Sequence, residues 1–251
     1  MSRQNEERRR RIEKLIGEEG ELSVDMLAQR FYVSKETIRK DLQFLEDKGI
    51  VIRSHGGARS RTANIDLPLS IRNQENIMEK RMIGYRAAEF VRDDDVLYLD
   101  SSSTAMCAAM YLKGKKNLSI VTNAIELLTL LEQGKHKVTL PGGDYNAAGK
   151  RVSGHKALPL LDAMYFDICI FGMDGCFGID GPANMLEDEL IMNQHVLART
   201  KKKILVSDTS KFQKEAHYQY GRFSQFDILI TGKLTEEQKE QIMIPEIIEV
   251  L

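Results

Sequence analysis

The sequence predicts an α/β protein in two parts: a small helical N-terminal domain and a larger domain built around a mostly parallel sheet. Over residues 1–58 apolar side chains recur at helical spacing, and a short strand then runs into a glycine turn. From residue 76 onward, helical stretches alternate with short apolar runs that are typical of buried strands. Polar residues separate the two patterns, so we predict domains at 1–58 and 76–251, joined by a linker at 59–75.

The composition is that of an ordinary globular protein and argues against several other classes. Hydrophobic residues make up 42% and charged residues 29% of the chain. No apolar run reaches the roughly 18 residues of a membrane span, and the N-terminus lacks the apolar core of a signal peptide. We therefore expect a cytoplasmic protein without a membrane partner. The 3 cysteines and 5 histidines form no pairing or ligand pattern, so we predict no metal site and no cofactor.

Three helices and a hairpin are predicted in the N-terminal domain. The first helix covers residues 5–19, the second begins at the N-cap Ser23, and the third covers 34–48 with Ser34 as its N-cap. The segment 50–58 follows, as a strand that runs into a turn with two glycines. Two helices joined by a short turn and followed by a basic hairpin make a winged helix-turn-helix, a geometry that places a helix in the major groove of DNA.

The third helix has one apolar face and one charged face. Ile38, Leu42 and Leu45 recur at helical spacing and should face the core, which turns the long polar side chains outward. Such side chains can reach base edges, while hydroxyls and backbone N–H groups at the helix start can bind phosphates. The predicted DNA-binding residues are Ser34, Lys35, Glu36, Thr37, Arg39, Lys40, Gln43, Arg53 and His55. A merely solvated charged face is the alternative interpretation.

Further basic residues are candidates for contacts with the DNA backbone. Arg59 and Arg61 extend the hairpin, and Arg8–Arg11 form a run in the first helix. The net charge of the whole chain is −1, so overall charge gives no signal for nucleic acid. The positions of the basic side chains are therefore more informative than their number.

The larger domain is predicted to have a Rossmann-like α/β fold. Strands are expected at Val96–Leu99, Leu118–Val121, Lys137–Leu140, Asp167–Phe171, Lys203–Val206, Phe226–Ile230 and Ile247–Val250. Helices are expected near 76–91, 103–112, 124–133, 185–200 and 235–243. Small polar motifs follow five of these strands, at 100–104, 122–124, 141–143, 172–175 and 207–211. Because the carboxyl ends of parallel strands line the ligand crevice, these motifs predict a polar pocket.

Each motif contributes a chemical group that suits a phosphorylated sugar. The hydroxyls of residues 101–104 lead into a helix N-terminus, which suits a phosphate. Glycines let backbone approach a ligand closely, Asp100, Asp174 and Asp208 can accept hydrogen bonds from sugar hydroxyls, and Lys211 offers a positive charge. Taken singly, each motif is better explained as an ordinary helix cap or turn, and their concurrence at strand ends favours a binding site.

The N-terminal residues resemble the DeoR family of bacterial sugar-metabolism repressors. The resemblance is carried by the run Val33–Leu42, by Leu45-Glu46 and by His55-Gly56-Gly57-Ala58 after Arg53. It implies a DNA-binding regulator with a double-stranded operator as its partner. Lys40 is a departure, because the family usually has an arginine there, and a bidentate fork becomes a point charge.

The resemblance continues through the second domain, including Arg72 and Lys80. It implies a sensor related in fold to ribose-5-phosphate isomerase and glucosamine-6-phosphate deaminase, with a pocket for a phosphorylated sugar or sugar alcohol. Departures are the run Ser101–Thr104, where the family commonly has glycine, and the segment 178–183. The predicted effector-binding residues, with Glu189 added by the resemblance, are Asp100, Ser101, Ser102, Ser103, Thr104, Thr122, Asn123, Gly142, Gly143, Asp174, Gly175, Glu189 and Lys211.

An enzyme with a DNA-binding appendage is the competing class. Isomerase chemistry needs a carboxylate base beside the sugar carbon, and Glu189 or Asp174 could serve. The isomerase's Asp-Gly-Ala-Asp-Glu run is absent, however, and the sequence reads Gly172-Met173-Asp174-Gly175. We therefore predict a regulator and not an enzyme, acting as a homo-oligomer, either a dimer or a tetramer. Whether it represses or activates depends on where its operator lies.

Overall fold

The computed structural model describes residues 3–47, 50–54, 56–60 and 68–250, which divide into two compact units. Unit 1 is Met1–Pro68 and unit 2 is Leu69–Leu251. The division falls inside the predicted linker, and residues 61–67 of that linker lie outside the described residues. Among the helices that the structure describes, none has the length and apolar character needed to cross a membrane.

Unit 1 is a winged helix-turn-helix. Its elements are α1 (Arg3–Glu19), β1 (Glu21–Ser23), α2 (Val24–Phe31), α3 (Lys35–Asp47), β2 (Val51–Ser54) and β3 (Gly57–Ser60). Ile12, Leu27, Ile38 and Leu42 are fully buried, so the predicted apolar stripes meet in one core. Ser23 caps α2 as predicted, because its hydroxyl accepts a hydrogen bond from the N–H of Met26 at 3.1 Å.

Strand β1 is absent from the sequence prediction. In the described part of unit 1, β1 pairs with β3, and β3 pairs with β2, in an antiparallel sheet. Strand β1 has only three residues, too few for an alternating pattern. Its strand conformation depends on the pairing of Leu22 with Ala58, which are distant in sequence.

Unit 2 alternates strands and helices along the chain. Its helices are α4 (Leu69–Arg72), α5 (Ile77–Ala88), α6 (Ser103–Ala109), α7 (Glu126–Leu131), α8 (Leu158–Asp162), α9 (Glu187–Ala198) and α10 (Glu236–Gln241). Its strands are β4 (Val96–Leu99), β5 (Ser119–Thr122), β6 (Lys137–Thr139), β7 (Asp144–Asn146), β8 (Arg151–Ser153), β9 (Phe166–Phe171), β10 (Ala183–Asn184), β11 (Thr200–Ser207), β12 (Tyr218–Gln219), β13 (Ile228–Thr231) and β14 (Glu246–Glu249).

Within residues 68–250, a 7-stranded parallel sheet has the order β14-β13-β11-β9-β4-β5-β6. The seven predicted strands are all members of it, with ends shifted by up to a few residues. A hydrophobic core lies on each face of this sheet. Strand β4 contributes to both cores, because Leu97 and Leu99 pack on one face and Tyr98 packs on the other. The strand order reverses between β4 and β9. Such a switch point opens a crevice at the carboxyl ends of the two strands.

Two small antiparallel pairings in unit 2 are also absent from the sequence prediction. Strands β7 and β8 form a hairpin, and β10 pairs with β12. Gly142 and Gly143 lead into the hairpin with φ angles of 88° and 128°, a region that side-chain-bearing residues rarely adopt. The residues of the hairpin are mostly polar, so no apolar pattern indicates strands there.

Candidate DNA-binding surface and effector site

The start of α3 is fixed by two hydroxyls. The Ser34 hydroxyl accepts a hydrogen bond from the N–H of Thr37 at 3.1 Å and lies 2.9 Å from the Thr37 hydroxyl. This capping explains why the helix begins at Lys35. Ser34 is exposed and Thr37 is half-buried, so both predicted DNA-binding hydroxyls lie at the helix N-terminus.

The outward face of α3 carries the predicted cationic side chains. Arg39 and Lys40 have 54% and 74% of their side-chain surface exposed, and each lies 3.8 Å from the carboxylate of Glu36. Lys35 forms an exposed ion pair with Asp25 at 2.8 Å. Exposed pairs of this kind contribute roughly 0–1 kcal/mol, so these cations can exchange their partners for phosphates or bases at little cost.

The wing lies against the C-terminal half of α3. The N–H of Arg53 donates to the Glu46 carboxylate at 3.1 Å, and its guanidinium donates to the side-chain oxygen of Gln43 at 3.3 Å. Two predicted DNA-binding residues, Gln43 and Arg53, are therefore in contact. His55 and Arg61 lie outside the described residues.

Two arginines of α1 are turned onto α3, contrary to the prediction that they contact phosphates. Arg8 Nε and Arg9 Nε donate to the two carboxylate oxygens of the buried Asp41, at 2.6 and 2.7 Å. The Arg9 guanidinium also lies 3.9 Å from the ring centre of Phe44. Their side chains are only 16% and 14% exposed. We call the contacts of Arg8 and Arg9 with Asp41 the Asp41 clamp, which ties α1 to α3, the predicted recognition helix.

In unit 2, Asp100 links the two strands at the switch point. One carboxylate oxygen accepts the N–H of Ser101 at 2.7 Å and the other accepts the N–H of Gly172 at 3.0 Å. Burial raises the pKa of this carboxyl, while the backbone donors act in the opposite direction. A Cβ at Gly172 would collide with the Ser102 hydroxyl, so glycine is needed for this close approach.

Three cations and two carboxylates gather on the α5 side of this crevice. We call Arg72, Lys80, Lys211, Asp174 and Asp208 the cation cluster. The Lys80 ammonium donates to the Arg72 carbonyl at 2.7 Å and lies 3.7 Å from Asp208. The Arg72 guanidinium lies 3.9 Å from Asp174. Lys80 is fully buried, and Arg72 and Lys211 are nearly so.

The titration of the cluster reflects its crowding. Burial, together with the positive charge of Lys214, lowers the pKa of Lys211 to about 8. Burial also lowers the pKa of Lys80, against the attraction of Asp208. Burial alone would raise the pKa of Asp208, but the charges of Lys211 and Lys80, with hydrogen bonds from Ser210 and Asn76, together hold that pKa below its ordinary value.

A second group, on the α9 side, consists of Ser101, Asn123, Arg151 and Glu189, which we call the polar cluster. The Ser101 hydroxyl donates to Glu189 at 3.2 Å and accepts from the Asn123 amide at 3.2 Å. Arg151 Nε lies 3.0 Å from Glu189, and its side chain is 0% exposed. Sequence reasoning missed Arg151, because nothing local distinguishes it from a surface arginine.

The predicted effector residues fall into these groups and the loops around them. Ser103 joins the cation cluster, because its hydroxyl accepts from the Lys80 ammonium at 3.0 Å. The other side chains mainly support the backbone: the Ser102 hydroxyl accepts from Ala105 N–H, Thr122 from Ala124 N–H, and Asp174 from Met185 N–H. The remaining predicted residues are Thr104, buried in α6, the hairpin glycines Gly142 and Gly143, and Gly175, which packs on Lys214.

A winged helix-turn-helix followed by a parallel-sheet domain with a buried polar crevice defines a DNA-binding transcriptional regulator with a sensor domain. Residues 8–64 match the DeoR-like helix-turn-helix domain, and residues 75–233 match the DeoR C terminal sensor domain. The chain belongs to the DeoR family of transcriptional regulators.

Curated relatives are similar over nearly their whole length. The chain is 31% identical to the HTH-type transcriptional regulator GlpR of Haloferax volcanii, over 94% of this chain and 93% of that protein. It is 29% identical to the glycerol-3-phosphate regulon repressor of Escherichia coli, over 88% of each chain. It is 30% identical to the lactose phosphotransferase system repressor of Streptococcus mutans, over 94% and 96%.

Among solved protein structures, ribose 5-phosphate isomerase A from Methanocaldococcus jannaschii is similar to part of this chain. That enzyme matches with a TM-score of 0.40 and 16% sequence identity, over 55% of each chain.

Proposed function

We propose that this regulator represses a carbohydrate-metabolism operon by binding its operator through α3, and that a phosphorylated sugar or sugar alcohol releases it. The observation that carries the proposal is the cation cluster at the carboxyl edge of the sheet. Three buried or nearly buried cations face two carboxylates there, so the five residues of the cluster together carry one positive charge. A buried surplus charge is costly, and a phosphate would neutralise it.

The operator side of the proposal rests on the outward face of α3. Arg39 and Lys40 are exposed, and Ser34 fixes the helix start from which they project. Arginine can read guanine through two hydrogen bonds, and lysine binds phosphate as a point charge. Two relatives that are named as repressors support this direction of regulation for the present chain.

Effector binding is proposed to influence the DNA-binding unit through α4. This helix is the first element of unit 2, and its last residue, Arg72, belongs to the cation cluster. The Lys80 ammonium holds the Arg72 carbonyl, and the N–H of Leu69 donates to the Ala148 carbonyl at 2.9 Å. A phosphate that engages Lys80 competes with the Arg72 carbonyl for the ammonium group and so acts on α4, the first helix of unit 2.

Operator binding requires paired recognition helices. One winged module makes few base contacts, and bacterial operators commonly present two half-sites about one helical turn apart. We therefore propose a homodimer or a tetramer, working in the cytoplasm where the operator is.

The proposal is tested by measuring binding to a labelled duplex from the region upstream of the protein's own operon, with and without sugar phosphates. We expect tight binding that one phosphorylated sugar or sugar alcohol weakens about 5–150-fold, the usual range of allosteric coupling. Lys211→Met should keep DNA binding and lose the response, while Lys201→Met, which removes an exposed lysine, should keep both. Operator binding that no phosphorylated compound changes would contradict the proposal, as would normal release of the Lys211→Met protein.

A further inference from the structure

The polar cluster is assembled by the β7–β8 hairpin, which belongs to no predicted element. Arg151 opens β8, and the backbone around it is pinned to the loop after β5. The N–H of Val152 donates to the Asn123 carbonyl at 2.9 Å, and the N–H of Ile125 donates to the Lys150 carbonyl at 3.0 Å. The hairpin therefore fixes the positions of Arg151 and Asn123 relative to each other, at the carboxyl edge of the parallel sheet.

Stability alone does not explain why such a cluster is buried there. A buried ion pair such as Arg151–Glu189 is often no more stabilising than apolar side chains of the same volume. Asn123 is 1% exposed, and its side-chain oxygen accepts no hydrogen bond within the part of the chain that the structure describes. A buried acceptor without a donor costs about 1–3 kcal/mol. The donor that this oxygen lacks is therefore expected to come from a ligand.

The polar cluster and the cation cluster differ in their net charge. Arg151 and Glu189 neutralise each other, so the polar cluster carries no net charge, whereas the cation cluster has a surplus of one positive charge. The two clusters are also close in sequence, because Ser101 belongs to one and Ser103 hydrogen-bonds the other. Two residues span at most roughly 7 Å, a distance that a short carbon chain can bridge.

We infer that the polar cluster is the hydroxyl-reading end of the effector site, and that it selects a neutral polyol chain carrying a single phosphate. Glu189 and the Asn123 oxygen accept hydrogen bonds from hydroxyl groups, and Arg151 donates to a hydroxyl oxygen while it keeps Glu189 in place. A second anion is rejected, because its charge would face the Glu189 carboxylate in a buried setting. Arg151 is in this account a specificity-determining residue.

This inference rests on the proposed function, and matched pairs of ligands test it separately. Calorimetry on the full-length protein would compare glycerol 3-phosphate with 3-phosphoglycerate, and sorbitol 6-phosphate with gluconate 6-phosphate, with inorganic phosphate as the reference. In each pair a terminal hydroxymethyl group of the polyol is replaced by a carboxylate in the acid. For whichever pair binds, we expect the polyol phosphate to bind roughly 10–100-fold more tightly than both its acid partner and inorganic phosphate.

Variants locate the preference in the polar cluster. Arg151→Met combined with Glu189→Leu removes the ion pair without stranding one buried charge, and Asn123→Leu removes the unpaired acceptor. Both should bind inorganic phosphate like the parent chain and lose the preference for polyol phosphate about tenfold or more. Lys156→Gln, which removes an exposed lysine just after the hairpin, is the matched control and should keep it.

The outcomes distinguish the two proposals. If no phosphate compound binds the parent protein, the proposed function itself fails. If phosphates bind but acid and polyol partners bind equally, the hydroxyl-reading end is disproved while the anion site stands. If the double variant does not fold, the parent's discrimination between partners and the Asn123→Leu protein decide the question. A fully retained preference in a folded variant overturns the assignment.

Discussion

Lys211 illustrates how burial sets the chemistry of single residues in this protein. Its ammonium group is nearly inaccessible and lies in electrostatic range of Lys214 and Lys80, and burial lowers its pKa to about 8. The charged form is therefore less stable in the ligand-free protein than it is in water, although it still predominates below pH 8. A bound phosphate would favour that form and raise the pKa again, so effector binding and proton uptake are coupled at this residue.

This coupling predicts a pH dependence. Below pH 8 Lys211 is mostly charged, and above it the ammonium loses its proton, so affinity for a phosphate should fall as pH rises through about 8. Calorimetric titrations between pH 7 and pH 9.5 would measure the decline. Arginine stays charged between pH 7 and pH 9.5, so the phosphate affinity of Lys211→Arg should not fall across that range. An affinity that stays constant across pH 8 in the parent protein would contradict the role of Lys211.

Arg39 is the residue on which the reading of bases is expected to depend most. Replacing it with alanine should cost roughly 1–3 kcal/mol of operator binding and relax the preference at one base pair. Anisotropy titrations on the operator and on single-base variants would measure both effects. Arg86→Ala removes an exposed arginine of unit 2 and serves as the control. Unchanged affinity and preference in Arg39→Ala would exclude this residue as a reader.

Local chemistry explains which residues could be predicted from the sequence. Ser23 and Ser34 were predictable as caps, because a capping serine acts within three residues of its own position. Arg8, Arg9 and Arg151 were not, because their partners Asp41 and Glu189 are more than thirty positions away in the chain. Whether a charged side chain is buried is decided by such distant contacts.

At the scale of elements, the Asp41 clamp fastens α1 to the recognition helix. One buried carboxylate is shared by two arginines at 2.6 and 2.7 Å. Removing one partner of a buried ion pair leaves uncompensated charge in a dry environment. The orientation of α3, and with it the position of Arg39 and Lys40, should therefore depend on this contact.

Asp41→Asn should destabilise unit 1 by about 3–5 kcal/mol. Asp25→Asn breaks an exposed pair with Lys35 in the same unit and should change stability by less than about 1 kcal/mol. Urea denaturation of the full-length variants, followed by helix content, would compare the two. Equal effects would mean that the Asp41 clamp contributes no more than a surface ion pair.

The hairpin that carries Arg151 depends on a glycine. Gly143 has a φ of 128°, and a Cβ there would lie 2.4 Å from the Ser153 carbonyl oxygen. Gly143→Ala should therefore destabilise unit 2 by roughly 1–3 kcal/mol. Gly114→Ala is the control, since a Cβ at Gly114 would meet nothing within 4 Å. Thermal unfolding would separate them, and equal melting temperatures would contradict the strain argument.

Secondary-structure elements could be predicted from the sequence where they contain a run of apolar residues, and not where they lack one. The central parallel strands are largely buried on both faces, so apolar runs marked them, and β4 begins and ends where predicted. The β7–β8 hairpin is mostly polar and β1 has only three residues, so no apolar run marked either of them.

At the scale of the whole molecule, the alternation of strands and helices predicted the fold class and the edge at which polar residues gather. It did not predict that this edge divides into a charged cluster and a neutral one. That division depends on the side of the β4–β9 switch point to which α5 and α9 bring Lys80 and Glu189. Sheet order and helix placement are long-range properties, and no local pattern encodes them.

The central claim is that one chain couples a sugar phosphate in unit 2 to an operator on unit 1. Linkage requires the coupling to be reciprocal, so operator DNA must weaken effector binding by the same factor by which the effector weakens operator binding. Calorimetric titration of the active sugar phosphate into the free protein and into the operator-bound protein measures this directly. The account predicts a loss of effector affinity equal to the loss of operator affinity, within about 5–150-fold. Identical effector affinity for the free and the operator-bound protein would contradict it.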